Sequence, residues 1–270
     1  MNIEIYQIYY DEKTLQNLDT EFIPLQNYRS DKSNWYEFWP MLNYLRQKEL
    51  QEDTWYGFLS PRFSEKIGID GKTIKEILKS NHDRAEIFLA SPEWDQIAYF
   101  KNVFEQGEYC HNNLLKESKL FLKSQNIKVD LDNLVNDSSN SVFSNYIFAK
   151  KKYWTNWKII AEKLFHYANK NENLNRVNTG KYYRGYPLKV FIQERIPAII
   201  LGLSKYAAIN IDQSKYGPIN TLLFEDNENT RLLLSKCDEY KKKFNSTLNI
   251  QYLKEYKQTR NEIIFKSPKL

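Results

Sequence analysis

The chain has 270 residues, of which 41% are hydrophobic and 27% charged, a composition typical of a folded globular protein and not of a disordered one. Its 39 Lys and Arg against 34 Asp and Glu leave a net charge of only +5, which excludes the concentrated basic surface of a dedicated duplex binder. Two cysteines exclude a disulfide framework. The sequence shows no spanning apolar run and no leader-like start, so we expect a cytoplasmic protein.

Short β-rich segments alternate with amphipathic segments along most of the chain. Strands are predicted at residues 3–10, 54–59, 85–90, 142–149 and 207–211, where β-rich runs end in Pro or polar residues. Helical spacing predicts helices at 35–45, 71–80, 94–104, 112–125, 153–169, 189–203 and from about 227 onward, with a polar loop at 170–186.

This alternation predicts an α/β fold in which a mixed sheet is flanked by helices. We expect an α/β domain at residues 1–226 and a helical C-terminal extension at residues 227–270. The chain contains no G-x-G-x-x-G, no G-x-x-x-x-G-K-S/T and no G-x-S-x-G, which argues against the usual dinucleotide, P-loop and serine-hydrolase sites. Its three histidines lack ligand-like spacing, so a His-based metal site is not expected.

Aromatic residues make up 15% of the chain, with 6 Trp, 20 Tyr and 15 Phe. Rings that carry a polar group suit half-exposed clefts, where a flat face stacks on a sugar or a base. A tyrosine-rich core is the alternative explanation, and the composition does not decide between them.

Polar residues follow the predicted strand 85–90 as Ser91-Pro92-Glu93-Trp94-Asp95. Ligands of open α/β sheets bind at the carboxyl ends of strands. In extended backbone, Glu93 and Asp95 point to the same side, where both can approach a divalent cation or a sugar hydroxyl. The alternative is that Asp95 caps a helix beginning at Gln96.

Two further segments carry polar chemistry. Arg62, in the run W-Y-G-F-L-S-P-R-F, can make a bidentate contact to a phosphate, or it can form a surface ion pair with Glu65 or Asp70. Residues 104–111 combine two glutamates, a glycine and His111, which is typical either of a general base or of a helix that ends at a glycine.

Four segments of the chain follow one another in an order that carries a family resemblance. They are 24–27 leading into W-Y-E-F-W at 35–39, W-Y-G-F-L-S-P-R-F at 55–63, S-N-Y-I-F-A-K at 144–150 and F-I-Q-E-R at 191–195. In this order they resemble bacterial glycosyltransferase-like proteins of capsule and O-antigen gene clusters. The resemblance covers roughly residues 3–210 by order of motifs. The family is similar to GT-A enzymes, whose Rossmann-like sheet binds a nucleotide-sugar at strand ends.

The resemblance implies a GT-A-like sheet and transfer of a sugar from a nucleotide-sugar to a surface-polysaccharide or other glycan acceptor. It also implies a Mn²⁺ or Mg²⁺ ion, for which Glu93-x-Asp95 would replace the usual D-x-D. Such a reaction needs a carboxylate for the acceptor hydroxyl and a cation at the phosphates. The expected residues are Asp95 and Glu194 for catalysis, Tyr9, Tyr56, Arg62, Glu93 and Arg195 for the donor, Trp94, Asn145 and Tyr146 for the acceptor, and Asp95 and Glu93 for the metal.

Other interpretations remain open from the sequence. Glu194 and Arg195 can instead form an internal ion pair, and the chain as a whole can be a non-catalytic module for carbohydrate or single-stranded nucleic acid. Residues 231–270 mix lysines with apolar side chains, which predicts a peripheral contact at the inner membrane face, near lipid-linked acceptors. A helix that covers the sheet is the alternative for this segment.

Overall fold

The computed structural model describes residues 1–27, 31–177, 185–214 and 217–266. Within them, six strands form one mixed sheet in the order β2-β1-β3-β5-β4-β6. All strands run parallel except β5, which is antiparallel to both neighbours. The strands are β1 (Asn2–Tyr9), β2 (Ile23–Gln26), β3 (Thr54–Leu59), β4 (Ile87–Leu89), β5 (Ile147–Ala149) and β6 (Ala208–Asn210).

Helices flank this sheet and continue to the C-terminal end of the described chain. A short 3-10 turn at Ser33–Trp35 precedes the second of them. The helices are α1 (Glu12–Gln16), α2 (Phe38–Gln47), α3 (Phe63–Ile67), α4 (Gly71–Asn81), α5 (Trp94–Tyr99), α6 (Val103–Cys110), α7 (Leu114–Ser124), α8 (Lys151–Asn169), α9 (Glu172–Asn175), α10 (Leu188–Gln193), α11 (Ile196–Leu203), α12 (Glu228–Thr247) and α13 (Ile250–Glu262).

The centre of the sheet is buried on both faces. All six residues of β3 are buried, as expected for a parallel strand that is covered on both sides. Gly57 lies opposite Phe148 of β5, and a Cβ at residue 57 would stand 2.6 Å from the Phe148 ring. The Trp154 indole of α8 donates to the Tyr56 carbonyl at 3.1 Å, which holds that helix against β3.

The predicted α/β fold, with a mixed sheet flanked by helices and a helical C-terminus, is confirmed. The edge strand β2 was not expected, because it has only four residues and contains Pro24. The strand predicted at 142–149 is reduced to β5, since Ser144 and Asn145 have φ of 59° and 56°, a left-handed backbone that cannot continue a strand. The predicted loop at 170–186 contains α9 and lies partly outside the described residues.

The helix predicted at 94–104 is divided into α5 and α6. Phe100 leaves the helical conformation, and the Asn102 side chain then caps α6 by accepting from the amides of Phe104 at 2.9 Å and Glu105 at 2.8 Å. An Asn N-cap is one of the strongest signals for starting a new helix. The interruption at Phe100 therefore separates α5 from α6.

The C-terminal helices build a second hydrophobic cluster with α5. In this cluster Trp94 and Ala98 are buried with Leu234, Cys237 and Tyr256. The ammonium group of Lys241 is also buried and donates to the carbonyls of Ile97 and Phe100, at the end of α5. The apolar side of the C-terminal segment is therefore packing surface. In the described parts of the chain, no helix has the length and apolar character needed to cross a membrane.

Candidate functional site

A cavity of about 460 Å³ opens at the carboxyl edge of the sheet, within the ~300–1,000 Å³ typical of ligand pockets. The chain leaves β1 for β2 on one side and then for β3 on the other, so a crevice forms where β1 and β3 end. The cavity is lined there by Tyr10 after β1, Ser60 and Pro61 after β3, Glu93 after β4 and Ser144 before β5. We call it the carboxyl-edge cavity.

Backbone strain is concentrated around this cavity. Tyr36, Glu93 and Ser144 line it with φ of 49°, 59° and 59°, and Asn145 follows with φ of 56°. A left-handed backbone costs a non-glycine residue roughly 1–2 kcal/mol, so such residues persist where the surrounding structure imposes them. Their clustering at one cavity is typical of a functional site.

Aromatic rings form much of the wall of the carboxyl-edge cavity. Tyr36 and Tyr186 meet with ring centroids 5.2 Å apart, and Phe191 stacks on His111 at 3.5 Å. Burial, with a contribution from Arg195, lowers the pKa of His111 to about 2, so this ring is neutral at physiological pH. The wall thus offers flat, uncharged faces of the kind that stack on a base or a sugar.

Charged groups of both signs share the cavity. Glu37, Glu93 and Glu194 line it together with Lys66, which lies on α3. The Lys66 ammonium donates to the Ser144 hydroxyl at 3.3 Å. Burial alone would lower the pKa of Lys66, but the surrounding phenol and carboxylates outweigh it and raise the pKa, so the side chain stays cationic.

Glu194 is a cavity carboxylate with a strongly raised pKa. It lies between α10 and α11, and burial raises its pKa to about 7. The positive charges of Arg195 and Lys66 offset only part of this effect, and Glu37 and Glu93 add to it. A carboxylate with a pKa close to the working pH is suited to accept a proton from a hydroxyl.

Arg195 forms the floor of the cavity and is only 2% exposed. Its guanidinium donates to the carbonyls of Val103 and Phe191 at 2.8 and 2.5 Å and to Gln106 Oε1 at 2.6 Å. The Arg195 guanidinium makes these bonds instead of the internal ion pair with Glu194, which was the alternative interpretation of the two residues. Because a guanidinium has five N–H groups, two remain for a ligand.

Gly107 allows Arg195 to approach α6. A Cβ at residue 107 would lie 2.7 Å from Arg195 Nε and 2.6 Å from Leu114 Cδ2. The glycine lies inside α6 and does not end it, so the interpretation of residues 104–111 as a helix ending at a glycine is wrong. From that segment, Gln106 and His111 reach the cavity.

The structure brings four of the predicted site residues together. Arg62, Glu93, Glu194 and Arg195 all line the carboxyl-edge cavity. The Arg62 side chain is 66% exposed and pairs with Glu65 at 2.6 Å, which is the surface ion pair weighed from the sequence.

Tyr9, Tyr56, Asn145 and Tyr146 do not line the cavity. Tyr56 is 2% exposed, and its hydroxyl accepts from the Gln51 amide at 3.0 Å, at the opposite end of β3. Tyr9 is the last residue of β1 and pairs with β2. Their expected roles in donor and acceptor binding stay predictions that this geometry does not support.

Asn145 and Tyr146 instead support the cavity from behind. The Asn145 amide donates to Gln193 Oε1 at 2.8 Å and accepts from the Trp157 indole at 3.3 Å. Tyr146 is fully buried, with its hydroxyl bonded to Ser60. Both side chains are thereby fixed in the core, and their neighbours Ser144 and Ser60 face the ligand space.

Trp94 and Asp95 turn away from the carboxyl-edge cavity. The left-handed Glu93 precedes α5, which begins at Trp94, so Asp95 lies in the first helical turn and is not its cap. The expectation that Glu93 and Asp95 share one side of an extended backbone is therefore wrong. Trp94 is 8% exposed and belongs to the second hydrophobic cluster.

Asp95 is fully buried, and its surroundings decide whether it can bind the metal ion that the resemblance implies. Its Oδ2 accepts from the Asn220 amide at 2.7 Å, whereas none of the residues that the structure describes donates a hydrogen bond to Oδ1. Burial raises the pKa of Asp95 to about 7, which favours the neutral acid. Across the described residues, no three His, Cys, Asp or Glu side chains are grouped to hold a metal ion. Glu93 and Asp95 therefore do not fit the expected Mn²⁺ or Mg²⁺ site in this geometry.

We expect Asp95→Ala to lower the free energy of unfolding by about 1–3 kcal/mol, because a buried amide loses its acceptor. The raised pKa means that the stability contributed by Asp95 is present below about pH 4 and is lost as the pH rises through about 7. Asp95→Asn keeps an acceptor and should remove this pH dependence. Urea unfolding at pH 5 and pH 8 measures both effects. Loss of turnover in Asp95→Asn without any change of stability would instead support a catalytic role.

Several cavity residues were not identified from the sequence. Lys66 is the most important, and its signal was its place one turn beyond Arg62, in the helix that follows a strand end. Tyr10 directly follows β1, so the rule of carboxyl strand ends would also have found it. Glu37 lies in W-Y-E-F-W, but only the tertiary structure brings that segment to the cavity.

Comparison of the chain with protein-family models, with curated proteins and with solved structures finds no match. The family resemblance of the four sequence segments therefore stays an expectation. The position, rings and charged groups of the carboxyl-edge cavity are the features that indicate a function.

Proposed function

We propose that this protein transfers a sugar from a nucleotide-sugar donor to a hydroxyl of a glycan acceptor in the carboxyl-edge cavity. The observation that carries the proposal is the presence of Glu194, Lys66 and Arg195 in one cavity lined by aromatic rings. This cavity lies in the crevice where β1 and β3 end. This combination supplies a proton acceptor, cations for a diphosphate and flat faces for a base or a sugar.

The donor would lie across the aromatic wall with its phosphates near the cations. Within the described part of the chain the Lys66 ammonium donates to the Ser144 hydroxyl, and it can turn its other N–H groups to phosphate oxygens. Arg195 offers its two remaining N–H groups from the floor of the cavity. Both positive charges stabilise the negative charge that develops on the leaving diphosphate.

Glu194 would act on the acceptor. Its carboxylate takes the proton of the acceptor hydroxyl as that oxygen bonds to the anomeric carbon of the donor sugar. The bond between the anomeric carbon and the diphosphate oxygen breaks, and the diphosphate keeps the electron pair. The proton stays on Glu194 until it is released to water, which a pKa of about 7 allows at neutral pH.

A thermal-shift screen of UDP-, GDP-, CMP- and dTDP-sugars, with and without Mn²⁺, tests donor binding. We expect one nucleotide class to stabilise the protein, and its leaving nucleotide to be released when a glycan acceptor is added: UDP, GDP or dTDP from the diphosphate sugars, or CMP from a CMP-sugar. Stabilisation without release would indicate a binding module and contradict the transferase proposal. A screen in which no sugar nucleotide raises the melting temperature would contradict it at the first step.

Lys66→Ala should weaken binding of the active sugar nucleotide about 10–100-fold, because a cation is removed from the phosphates. Lys72→Ala is the matched control, since Lys72 is exposed on α4 and outside the cavity. Titration calorimetry with the nucleotide-sugar found in the screen measures both. Equal affinities for the two variants would show that Lys66 does not contact the donor.

A further inference from the structure

The turn between the two last helices of the described chain stands clear of the rest of the protein. Residues 246–251 are all exposed. Below this turn, the Asn245 amide donates to Asp137 Oδ2 at 2.7 Å, and the Tyr256 hydroxyl donates to the Tyr99 carbonyl at 2.7 Å. The turn is therefore presented on a helical hairpin whose base is fixed to the body.

The apex of this turn is apolar. Leu248 is 75% exposed and Ile250 is 59% exposed. Leu248 also has a φ of 57°, at the helix end where glycine is the usual residue because it adopts this conformation without strain. Single exposed leucines are ordinary, but Leu248 occupies a position where an aliphatic residue is both strained and exposed.

Tyrosines and lysines surround the apolar apex. The Lys243 ammonium lies 5.9 Å from the Tyr240 ring and 5.8 Å from the Tyr252 ring. Between residues 242 and 257 the chain has four lysines and one glutamate. Of these lysines, Lys242 and Lys243 pair with acids one turn closer to the body, whereas Lys254 and Lys257 are exposed.

We propose that this turn docks on an anionic lipid bilayer, with Leu248 and Ile250 among the upper acyl chains and the tyrosines and lysines at the headgroups. Tyrosine and lysine side chains place an apolar body in the interface and a polar end in water. The positive charge favours anionic lipid and disfavours a second copy of the same turn, which would carry the same charge. The proposal does not depend on the function of the carboxyl-edge cavity.

Vesicle co-sedimentation of the full chain tests this docking. The probes are vesicles of phosphatidylcholine alone and of phosphatidylcholine with phosphatidylglycerol in equal parts. We expect the protein to bind the anionic vesicles only, and binding to weaken as salt reduces the Debye length from about 30 Å at 0.01 M to about 8 Å at 0.15 M. Equal binding to both vesicles, or none, would overturn the proposal.

Leu248→Gly separates membrane contact from folding. Glycine relieves the left-handed strain, so the variant should melt at or above the wild-type temperature, while its binding to anionic vesicles falls about tenfold. Leu222→Gly is the control, because Leu222 is 64% exposed outside this turn. Unchanged binding of Leu248→Gly would overturn the proposal, and so would a dimer in light scattering that this variant abolishes.

Discussion

Glu194→Gln is expected to reduce sugar transfer by about 10²–10⁴-fold, the usual contribution of a general base, while the protein becomes more stable above pH 7. Glutamine has nearly the shape of glutamate but cannot accept the acceptor proton. It also removes a carboxylate whose ionisation is opposed by burial. If Glu194→Gln loses turnover and gains stability, the Glu194 carboxylate serves catalysis and not folding.

The sign of the stability change follows from the raised pKa of Glu194. Because the pKa of about 7 in the folded protein exceeds the ordinary glutamate pKa of 4.5, the contribution of this group to stability is fully present below about pH 4.5 and is lost as the pH rises through 7. At pH 8 the glutamine variant should therefore be more stable by an amount on the order of 1–3 kcal/mol, and at pH 4 the two proteins should be alike. Urea unfolding at both pH values measures the difference.

Glu162→Gln provides a control of opposite sign. The Arg46 guanidinium donates to Glu162 at 2.6 Å and holds the pKa of that carboxyl below its usual value. Its contribution to stability is therefore present above about pH 4.5 and is lost as the pH falls. Glu162→Gln should lower stability at pH 8 and leave turnover unchanged, because the pair lies outside the carboxyl-edge cavity.

The pH profile of turnover gives a second measurement of the same group. Turnover should rise with pH through about 7 as Glu194 loses its proton. Since the Lys66 charge lowers the pKa of Glu194, Lys66→Gln should move this limb to higher pH. A profile without a limb near pH 7, or a Glu194→Gln variant with full turnover, would remove Glu194 from the mechanism.

The carboxyl-edge cavity was partly predictable from the sequence because strands end where Pro and polar residues begin. Ser60-Pro61-Arg62 and Glu93 were found in this way, and both segments reach the cavity. Asp95 was misplaced because the left-handed backbone of Glu93 makes Glu93 the residue that precedes α5, so Asp95 lies inside the helix and not in extended backbone or at the helix cap. No sequence pattern predicts a glutamate in that conformation.

Long-range packing explains the other differences between the sequence and the structure. The composition of residues 142–149 favoured a full strand. In the structure, the Asn145 side chain is instead held by hydrogen bonds to Gln193 and Trp157, in the part of the segment that precedes β5. The amphipathic pattern of the C-terminal segment was correctly recognised. Its apolar side packs against α5, however, whereas exposed apolar residues lie at the turn between α12 and α13. Helical periodicity does not distinguish apolar residues that pack from those that stay exposed.

Gly107→Ala should be among the most destabilising single-methyl changes in this protein. The new Cβ would lie 2.6 Å from Leu114 and 2.7 Å from the Arg195 guanidinium, both below any normal contact. Flexible side-chain ends usually move aside, but Leu114 is fully buried and Arg195 is held by three hydrogen bonds. Displacing Arg195 would break these three buried hydrogen bonds, so we expect a loss of roughly 2–4 kcal/mol.

Gly202→Ala is the matched control for this substitution. Gly202 also lies in a helix, but its new Cβ would meet its nearest neighbour at an ordinary 3.5 Å. Alanine in place of helical glycine stabilises by roughly 0.5–1 kcal/mol, so Gly202→Ala should raise the unfolding midpoint while Gly107→Ala lowers it. Because Arg195 lowers the pKa of Glu194, Gly107→Ala should also shift the turnover limb above pH 7. Equal midpoints for the two variants would show that Arg195 yields without cost, and its fixed position in the cavity floor would have to be abandoned.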